Sequence, residues 1–187
     1  MKTLIIDNHT KYRAELRNSL PGSIEVIRRE DVSPMITLDN YDLLVLSGGH
    51  GVSSVSHHPI EYAFEMQFVR EAKIPILGIC LGSEIITYAL GGELKSLDHL
   101  HQGGVEITIT DEPLLEKLGK NVITVYEYHQ WGTSVLPPNT IACAHSDHGP
   151  EIIKHADKPI IAIQFHPEVS QIPQLFDWVL ENFKIKK

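Results

Sequence analysis

The sequence predicts an α/β fold in which a mostly parallel central sheet carries helices on both faces. In the first half, short runs of leucine and β-branched residues alternate with segments of helical periodicity, and turn residues bound each run. Strands that alternate with helices in this way are typical of a parallel sheet covered by helices. No internal repeat or linker divides the chain, so a single domain over residues 1–187 is expected.

Three apolar runs in the first half, residues 3–6, 43–46 and 76–79, are predicted to be buried strands. Two segments between them have a helical pattern, residues 11–20 and residues 60–72. The first of these helices is expected to end at the Pro21-Gly22 pair. The order of these elements is that of consecutive strand-helix-strand units.

After Cys80, apolar residues recur at helical spacing over residues 81–90, and Gly91-Gly92 is expected to end that helix. The second half changes character, with strands separated mostly by turns and loops. We predict strands over residues 105–110, 122–126, 140–144 and 160–165, a short helix over 114–118 and a final helix over 174–183.

Charge and composition exclude several classes of function. The 16 Lys and Arg residues against 24 Asp and Glu give a net charge of -8, which opposes nucleic acid or an anionic membrane as a partner. The amino terminus lacks the apolar region of a secretory signal, and the longest apolar stretch is far shorter than a membrane helix. The two cysteines cannot form a disulfide scaffold, so a reduced, cytoplasmic setting is expected.

A nucleophile elbow is indicated where the third predicted strand meets the following helix. Gly78-Ile79-Cys80-Leu81-Gly82 has the form G-x-C-x-G, which is the thiol version of this motif. The free N–H groups and dipole of the helix N-terminus favour a thiolate, so a lowered pKa is expected for Cys80. The alternative is a buried structural cysteine between two glycines that packing requires.

Two further segments could complete such a site. In Gln164-Phe165-His166-Pro167-Glu168, His166 could act as a general base while Glu168 orients its imidazole. In Ser47-Gly48-Gly49-His50-Gly51, glycine would let backbone N–H groups approach an oxyanion. The alternative for the His166 segment is a surface turn. The alternative for the glycine-rich segment is a phosphate-binding loop, although that segment lacks the G-x-x-x-x-G-K-[ST] pattern.

Together these motifs resemble those of the class I glutamine amidotransferases, the triad glutaminases. The resemblance covers nearly the whole chain, and the length is similar to that of stand-alone glutaminase subunits of the GMP synthase and aminodeoxychorismate or anthranilate synthase type. It implies a flavodoxin-like fold with a parallel sheet. The segments that carry it are Leu4-Ile5-Ile6-Asp7-Asn8, Ser47-Gly48-Gly49, the elbow, Gly91-Gly92 and the His-Pro-Glu segment.

The resemblance also implies a role for each matching residue. Cys80 would be the nucleophile, His166 the base and Glu168 its orienting carboxylate, while the backbone N–H groups of Gly49 and Leu81 would form the oxyanion hole. Glutamine would be hydrolysed through a γ-glutamyl thioester, without a cofactor. The ammonia would pass to a synthase partner, such as the ATP-pyrophosphatase subunit of a GMP synthase.

The expected substrate-binding residues contain two departures from the family pattern. The expected substrate-binding residues are Gly48, Glu84, Tyr128, His129 and Gln130. The family's elbow usually continues to a glutamine where this chain has Glu84, and an ionised carboxylate cannot donate a hydrogen bond. Glu84 is typical of the γ-glutamyl hydrolases in the same superfamily, and it also suits a helix start. Gln130 replaces the usual serine.

The remaining histidines and the second cysteine are given structural interpretations. His57-His58, His99-x-His101 and His145-x-x-His148 lack carboxylate or cysteine partners at a suitable spacing, so no metal is expected. Cys143 lies in an apolar predicted strand and is expected in the core.

Three functions remain open from the sequence. The first is a glutaminase subunit that supplies ammonia to a synthase. The second is a self-sufficient hydrolase of γ-glutamyl compounds, and the third is a regulatory module of low activity with the same fold.

Overall fold

The structure of the chain is a computed structural model, and it describes residues 1–49, 55–71 and 73–185. The helices are α1 (Arg13–Ser19), α2 (Ala63–Glu71), α3 (Leu81–Ala89), α4 (Glu112–Leu118) and α5 (Pro173–Asn182). The strands are β1 (Lys2–Asn8), β2 (Ser23–Arg28), β3 (Leu43–Gly49), β4 (Ile76–Ile79), β5 (Glu93–Ile109), β6 (Val122–Val135), β7 (Thr140–Ser146), β8 (Gly149–His155) and β9 (Ile160–Ile163).

The strands form one mixed sheet in the order β2-β1-β3-β4-β9-β8-β7-β5-β6. The α/β class is confirmed, but the prediction of a mostly parallel sheet is wrong. On one side of the sheet, the neighbours β2, β1, β3, β4 and β9 all pair in parallel. On the other side, the pairs β9–β8, β8–β7, β7–β5 and β5–β6 are antiparallel. The second half lacks long crossover helices between most strands, so neighbouring strands there reverse direction through turns and loops.

Helices cover both faces of the sheet, as predicted. Alternate residues of β3 face opposite cores, because side chains along a strand point to alternate faces. Val45 packs in one core with Leu16 of α1 and Phe176 of α5. Leu44 packs in the other core with Met66 of α2 and Ile85 of α3. The inner parallel strands β1, β3, β4 and β9 are buried on both faces, which explains their uninterrupted apolar runs.

Several element boundaries differ from the predictions. Strands β2 and β8 were not predicted, and β5 and β6 extend well beyond the expected segments. The helix expected over residues 60–72 consists of a short 3₁₀ turn, Pro59–Tyr62, followed by α2. Residue 72 lies outside the described residues.

Within the described parts of the chain, no helix is long and apolar enough to cross a membrane.

Candidate active site

Cys80 lies at a sharp elbow between β4 and α3. Its backbone has φ 51° and ψ -107°, a conformation that costs energy in a residue with a side chain and is often kept at functional sites. The flanking glycines let the strand and helix approach closely. A Cβ atom on Gly78 would lie 2.5 Å from the Gly82 carbonyl oxygen, and one on Gly82 would lie 2.1 Å from that of Leu46. The G-x-C-x-G spacing is therefore required by packing around the thiol.

Two backbone N–H groups point to the Cys80 sulfur. They belong to Leu81, at the start of α3, and to Gly49, at the end of β3. Gly48 lies between the reacting groups, since a Cβ there would be 3.5 Å from Cys80 Cβ and 2.8 Å from His166 Cε1. This arrangement brings the predicted oxyanion donors to the predicted nucleophile. His50 and Gly51 of the same segment lie outside the described residues.

The environment of the Cys80 thiol differs from the sequence expectation. Burial raises its pKa well above the usual range, and the neighbouring Glu84 and Glu168 side chains raise it further. The N–H groups of Leu81 and Gly49 act in the opposite direction but do not offset burial. The expected lowering of the pKa is thus wrong for the resting chain, in which Cys80 is a neutral thiol that needs a base.

His166 and Glu168 form a buried pair beside this elbow. His166 Nδ1 is 2.9 Å from Glu168 Oε1, and the two residues are 3% and 8% exposed. They follow β9, which pairs with β4 in parallel, so the carboxyl ends of both strands meet at one edge of the sheet. Because Nδ1 is held by the carboxylate, Nε2 is left to exchange a proton with another group.

Two tyrosines pack around His166, and the sequence analysis missed both. The Tyr12 ring meets the imidazole edge to face with the centroids 4.8 Å apart, and the Tyr126 centroid is 6.4 Å away. The Tyr12 hydroxyl donates a hydrogen bond to that of Tyr126 over 3.3 Å. Tyr126 lies two residues before Tyr128 on the same face of β6, which was the available signal.

Glu84 lies in the first turn of α3 and is 5% exposed. Burial raises the pKa of its carboxyl group to about 8, although the neighbouring Gln164 side chain acts to lower it. At neutral pH, Glu84 is therefore mostly a neutral acid, which can donate one hydrogen bond and accept others. The ionised carboxylate expected from the sequence is therefore wrong in this environment.

The three predicted pocket residues on β6 differ in where their side chains lie. The Tyr128 carbonyl oxygen accepts from Cys80 Sγ over 3.7 Å, so the backbone of Tyr128 lines the site. His129 points to the opposite face of the strand, where its Nε2 is 3.3 Å from Glu127 Oε2. Gln130 is half-buried on the Tyr128 face. The structure thus places Tyr128 against the thiol and directs the His129 side chain elsewhere.

The remaining predictions concern residues away from the thiol. Cys143 is fully buried, and burial raises its pKa to about 12, which agrees with a core position. His101 and His148, for which the sequence spacing indicated no carboxylate partner, both lie beside the buried Glu127. That partner comes from a different strand, so sequence spacing could not show it.

A cysteine at an elbow, beside two N–H donors and a histidine-carboxylate pair, is the arrangement that cysteine-dependent acyl-transfer enzymes use. The chain belongs to the class I glutamine amidotransferases, since the family model glutamine amidotransferase class-I matches residues 4–185. It is accordingly a glutamine amidotransferase enzyme.

Several GMP synthase subunits are similar to this chain over nearly its whole length. A subunit of the glutamine-hydrolyzing GMP synthase from Methanosarcina acetivorans is 33% identical over 98% of this chain and 95% of its own. The corresponding GMP synthase subunit from Methanosphaera stadtmanae is 35% identical over 98% and 96%. A solved structure of a putative GMP synthase subunit from Thermoplasma acidophilum has a TM-score of 0.82 at 26% identity, covering 98% of this chain and 92% of that one.

Proposed function

We propose that this chain is a single-domain glutaminase that hydrolyses glutamine to glutamate and ammonia through a thioester on Cys80, and that it delivers the ammonia to a synthase partner. The observation that carries the proposal is the convergence of Gly49 N–H, Leu81 N–H and Tyr128 carbonyl on the Cys80 sulfur. His166, held by Glu168, lies against the same glycine turn.

The first half-reaction forms the thioester. His166 Nε2 takes the thiol proton as Cys80 Sγ attacks the side-chain amide carbon of glutamine. The N–H groups of Gly49 and Leu81 stabilise the negative charge on the amide oxygen in the tetrahedral intermediate. The intermediate collapses, the C–N bond breaks, and ammonia leaves with the proton from the His166 imidazolium.

The second half-reaction restores the thiol. His166 takes a proton from water, which attacks the thioester carbon, and glutamate leaves as Cys80 regains the proton. The Glu168 carboxylate holds the imidazole and stabilises its charged form in both halves. Because burial raises the pKa of the Cys80 thiol, the resting thiol keeps its proton, and His166 has to remove that proton for the attack.

Substrate recognition is proposed to use the neutral form of Glu84. A protonated carboxyl group offers one donor and an acceptor, as the amide of the family's glutamine does. The neutral state therefore supports glutamine as the substrate. Gly48, Tyr128, His129 and Gln130 complete the proposed pocket, with His129 contributing through its backbone.

The experiment compares Cys80→Ala with Cys143→Ala in a glutamate-release assay. The Cys143 variant is the matched control, since it removes the other buried thiol. Loss of turnover in Cys80→Ala alone supports the proposal, and equal turnover in the two variants would refute it. Circular dichroism should show that both variants keep their fold.

The proposed partner is the ATP-pyrophosphatase subunit of a GMP synthase, as the similar GMP synthase subunits suggest. Adding that partner should raise glutamine hydrolysis and support amination with glutamine as the nitrogen source. Both cysteines are free thiols, which suits the reduced cytoplasmic setting that we propose.

A self-sufficient γ-glutamyl hydrolase is the second candidate, and the presence of Glu84 is the observation that favours it. Cleavage of γ-glutamyl peptides by the isolated chain, faster than glutamine hydrolysis with the partner present, would support this alternative. Silence toward every substrate, with and without the partner, would leave a regulatory module.

A further inference from the structure

A second group of ionisable side chains lies on the face of β6 opposite Tyr126 and Tyr128. Glu127 and His129 come from β6 and Glu151 from β8, and we call these three residues the Glu-His-Glu cluster. They are 0%, 4% and 1% exposed, respectively. Groups of this kind are rarely buried without compensation, because taking charge out of water is costly.

Each member of the Glu-His-Glu cluster has one polar atom held by an outer partner. His129 Nδ1 is 2.8 Å from the Trp131 carbonyl oxygen, to which it donates, and the Ser146 hydroxyl donates to Glu151 Oε1 over 2.7 Å. His148 Nδ1 is 3.1 Å from Glu127 Oε2. Outer bonds of this kind fix the orientation of metal-binding side chains and set the imidazole tautomer.

The other polar atom of each side chain is left over. Glu127 Oε1, His129 Nε2 and Glu151 Oε2 are buried and have no hydrogen-bond partner among the described residues. With Nδ1 donating to Trp131, neutral His129 presents a lone pair at Nε2. The cluster therefore combines three outer bonds with three inward acceptor atoms and no donor among them.

Distances within the cluster suit a small cation. One ligand atom from each of the three side chains lies within 4.8 Å of the other two. His129 Nε2 is 3.3 Å from Glu127 Oε2, the oxygen that His148 also contacts, so the imidazole and the Glu127 carboxylate are already adjacent.

We propose that Glu127, His129 and Glu151 bind one divalent transition-metal ion. Two carboxylate oxygens and one imidazole nitrogen form a ligand set that suits Zn²⁺ and its neighbours in the first transition row. The positive ion balances two carboxylates that otherwise face each other in a buried site. His101 and His148 lie on the more exposed side of Glu127 and provide a route by which the ion enters.

The site is separate from the thiol chemistry, and its test does not depend on the proposed function. The site is connected to the active site through Gln164, which lies between Glu151 and Glu84. The Gln164 N–H donates to the Glu151 carbonyl, and Gln164 in turn lies beside Glu84. The ion would stabilise the antiparallel part of the sheet behind the substrate pocket.

The test measures Zn²⁺ binding by the full chain after chelator treatment, using equilibrium dialysis with metal analysis. Wild type should bind one Zn²⁺ per chain, and Co²⁺ in its place should give visible d–d absorption bands. Glu151→Gln keeps the shape of the side chain but removes its charge, and it should weaken Zn²⁺ binding more than about 100-fold. Ser146→Ala removes the outer bond to Glu151, together with one from the His148 N–H, and should weaken binding about 10- to 100-fold.

His145→Ala is the matched control, because His145 is an exposed histidine on the neighbouring strand β7. It should bind Zn²⁺ as wild type does. Zn²⁺ should also raise the Tm of wild type and of the control, but not that of Glu151→Gln, whose fold is checked by its unfolding curve without metal.

Two results would overturn the proposal. In the first, wild type binds no stoichiometric Zn²⁺, and a proton shared between Glu127 and Glu151 then accounts for the buried pair. In the second, Glu151→Gln binds Zn²⁺ as tightly as wild type, or His145→Ala loses as much binding as Glu151→Gln does. Either outcome would mean that surface histidines bind the ion.

Discussion

Replacing Glu84 by glutamine should remove a large part of the pH dependence of stability. The folded chain raises the pKa of this carboxyl group from its ordinary 4.5 to about 8. Between these values the folded state holds a proton that the unfolded state has released, so stability falls as the pH rises. From pH 6 to pH 9 the loss amounts to about 2 to 3 kcal/mol, at roughly 1.4 kcal/mol per pH unit up to the folded pKa. Glu84→Gln cannot lose this proton.

Urea unfolding at pH 6 and pH 9, followed by tryptophan fluorescence, measures the difference. The variant should lose about 2 to 3 kcal/mol less free energy of unfolding than wild type over this interval. Other buried carboxyl groups are present in both proteins and cancel, and Glu93→Gln, at an exposed position, should behave as wild type. An identical loss in Glu84→Gln and wild type would refute the neutral state of Glu84. At pH 7 the substitution should alter KM for glutamine more than kcat, because it changes binding and leaves the thiol and its base intact.

Two other sites allow matched tests of the mechanism. His166→Ala should reduce glutamine hydrolysis at least about a thousandfold, and Glu168→Gln should reduce it less, since an orienting residue costs less than the base it orients. Both variants are assayed in the complex with the synthase partner, and a greater loss in Glu168→Gln than in His166→Ala would contradict these roles. Gly49→Ala should reduce kcat roughly 10²- to 10³-fold, because its Cβ would lie 2.1 Å from Leu81 Cδ2 and 3.0 Å from the Asn8 carbonyl oxygen, and the backbone that holds the Gly49 N–H would have to shift. Gly132→Ala, where a Cβ meets nothing closer than 3.7 Å, is the control, and equal rates in the two variants would show that the turn has no catalytic role.

The inner parallel strands of the first half, such as β3 and β4, were predictable because they are buried on both faces. Residues 43–46 and 76–79 are continuous apolar runs, and the structure places strands β3 and β4 there. Strand β2 was missed because it lies at the edge of the sheet and alternates between exposed and half-buried residues. The long strand β5 carries many exposed polar residues, and β6 contains buried polar ones such as Glu127 and His129, so composition alone did not indicate their length.

The elbow at Cys80 could be recognised because its glycines and nucleophile lie within five consecutive residues. The protonation states of Cys80 and Glu84 could not be predicted, since they depend on burial by segments distant in sequence. The Glu-His-Glu cluster could not be predicted for the same reason, because Glu151 joins Glu127 and His129 only when strands β6 and β8 approach. Local motifs identified the chemistry, whereas long-range packing set its electrostatics.

The most direct test of the central claim is to locate the covalent adduct. The full chain is treated with a chloroketone analogue of glutamine, which carries an electrophilic carbon where the amide would be, and its peptides are then analysed by mass spectrometry. A single adduct on Cys80, suppressed by excess glutamine and absent from Cys80→Ala, is the predicted result. A glutamine-protected adduct on Cys143, or one that persists in Cys80→Ala, would contradict the assignment of Cys80 as the nucleophile.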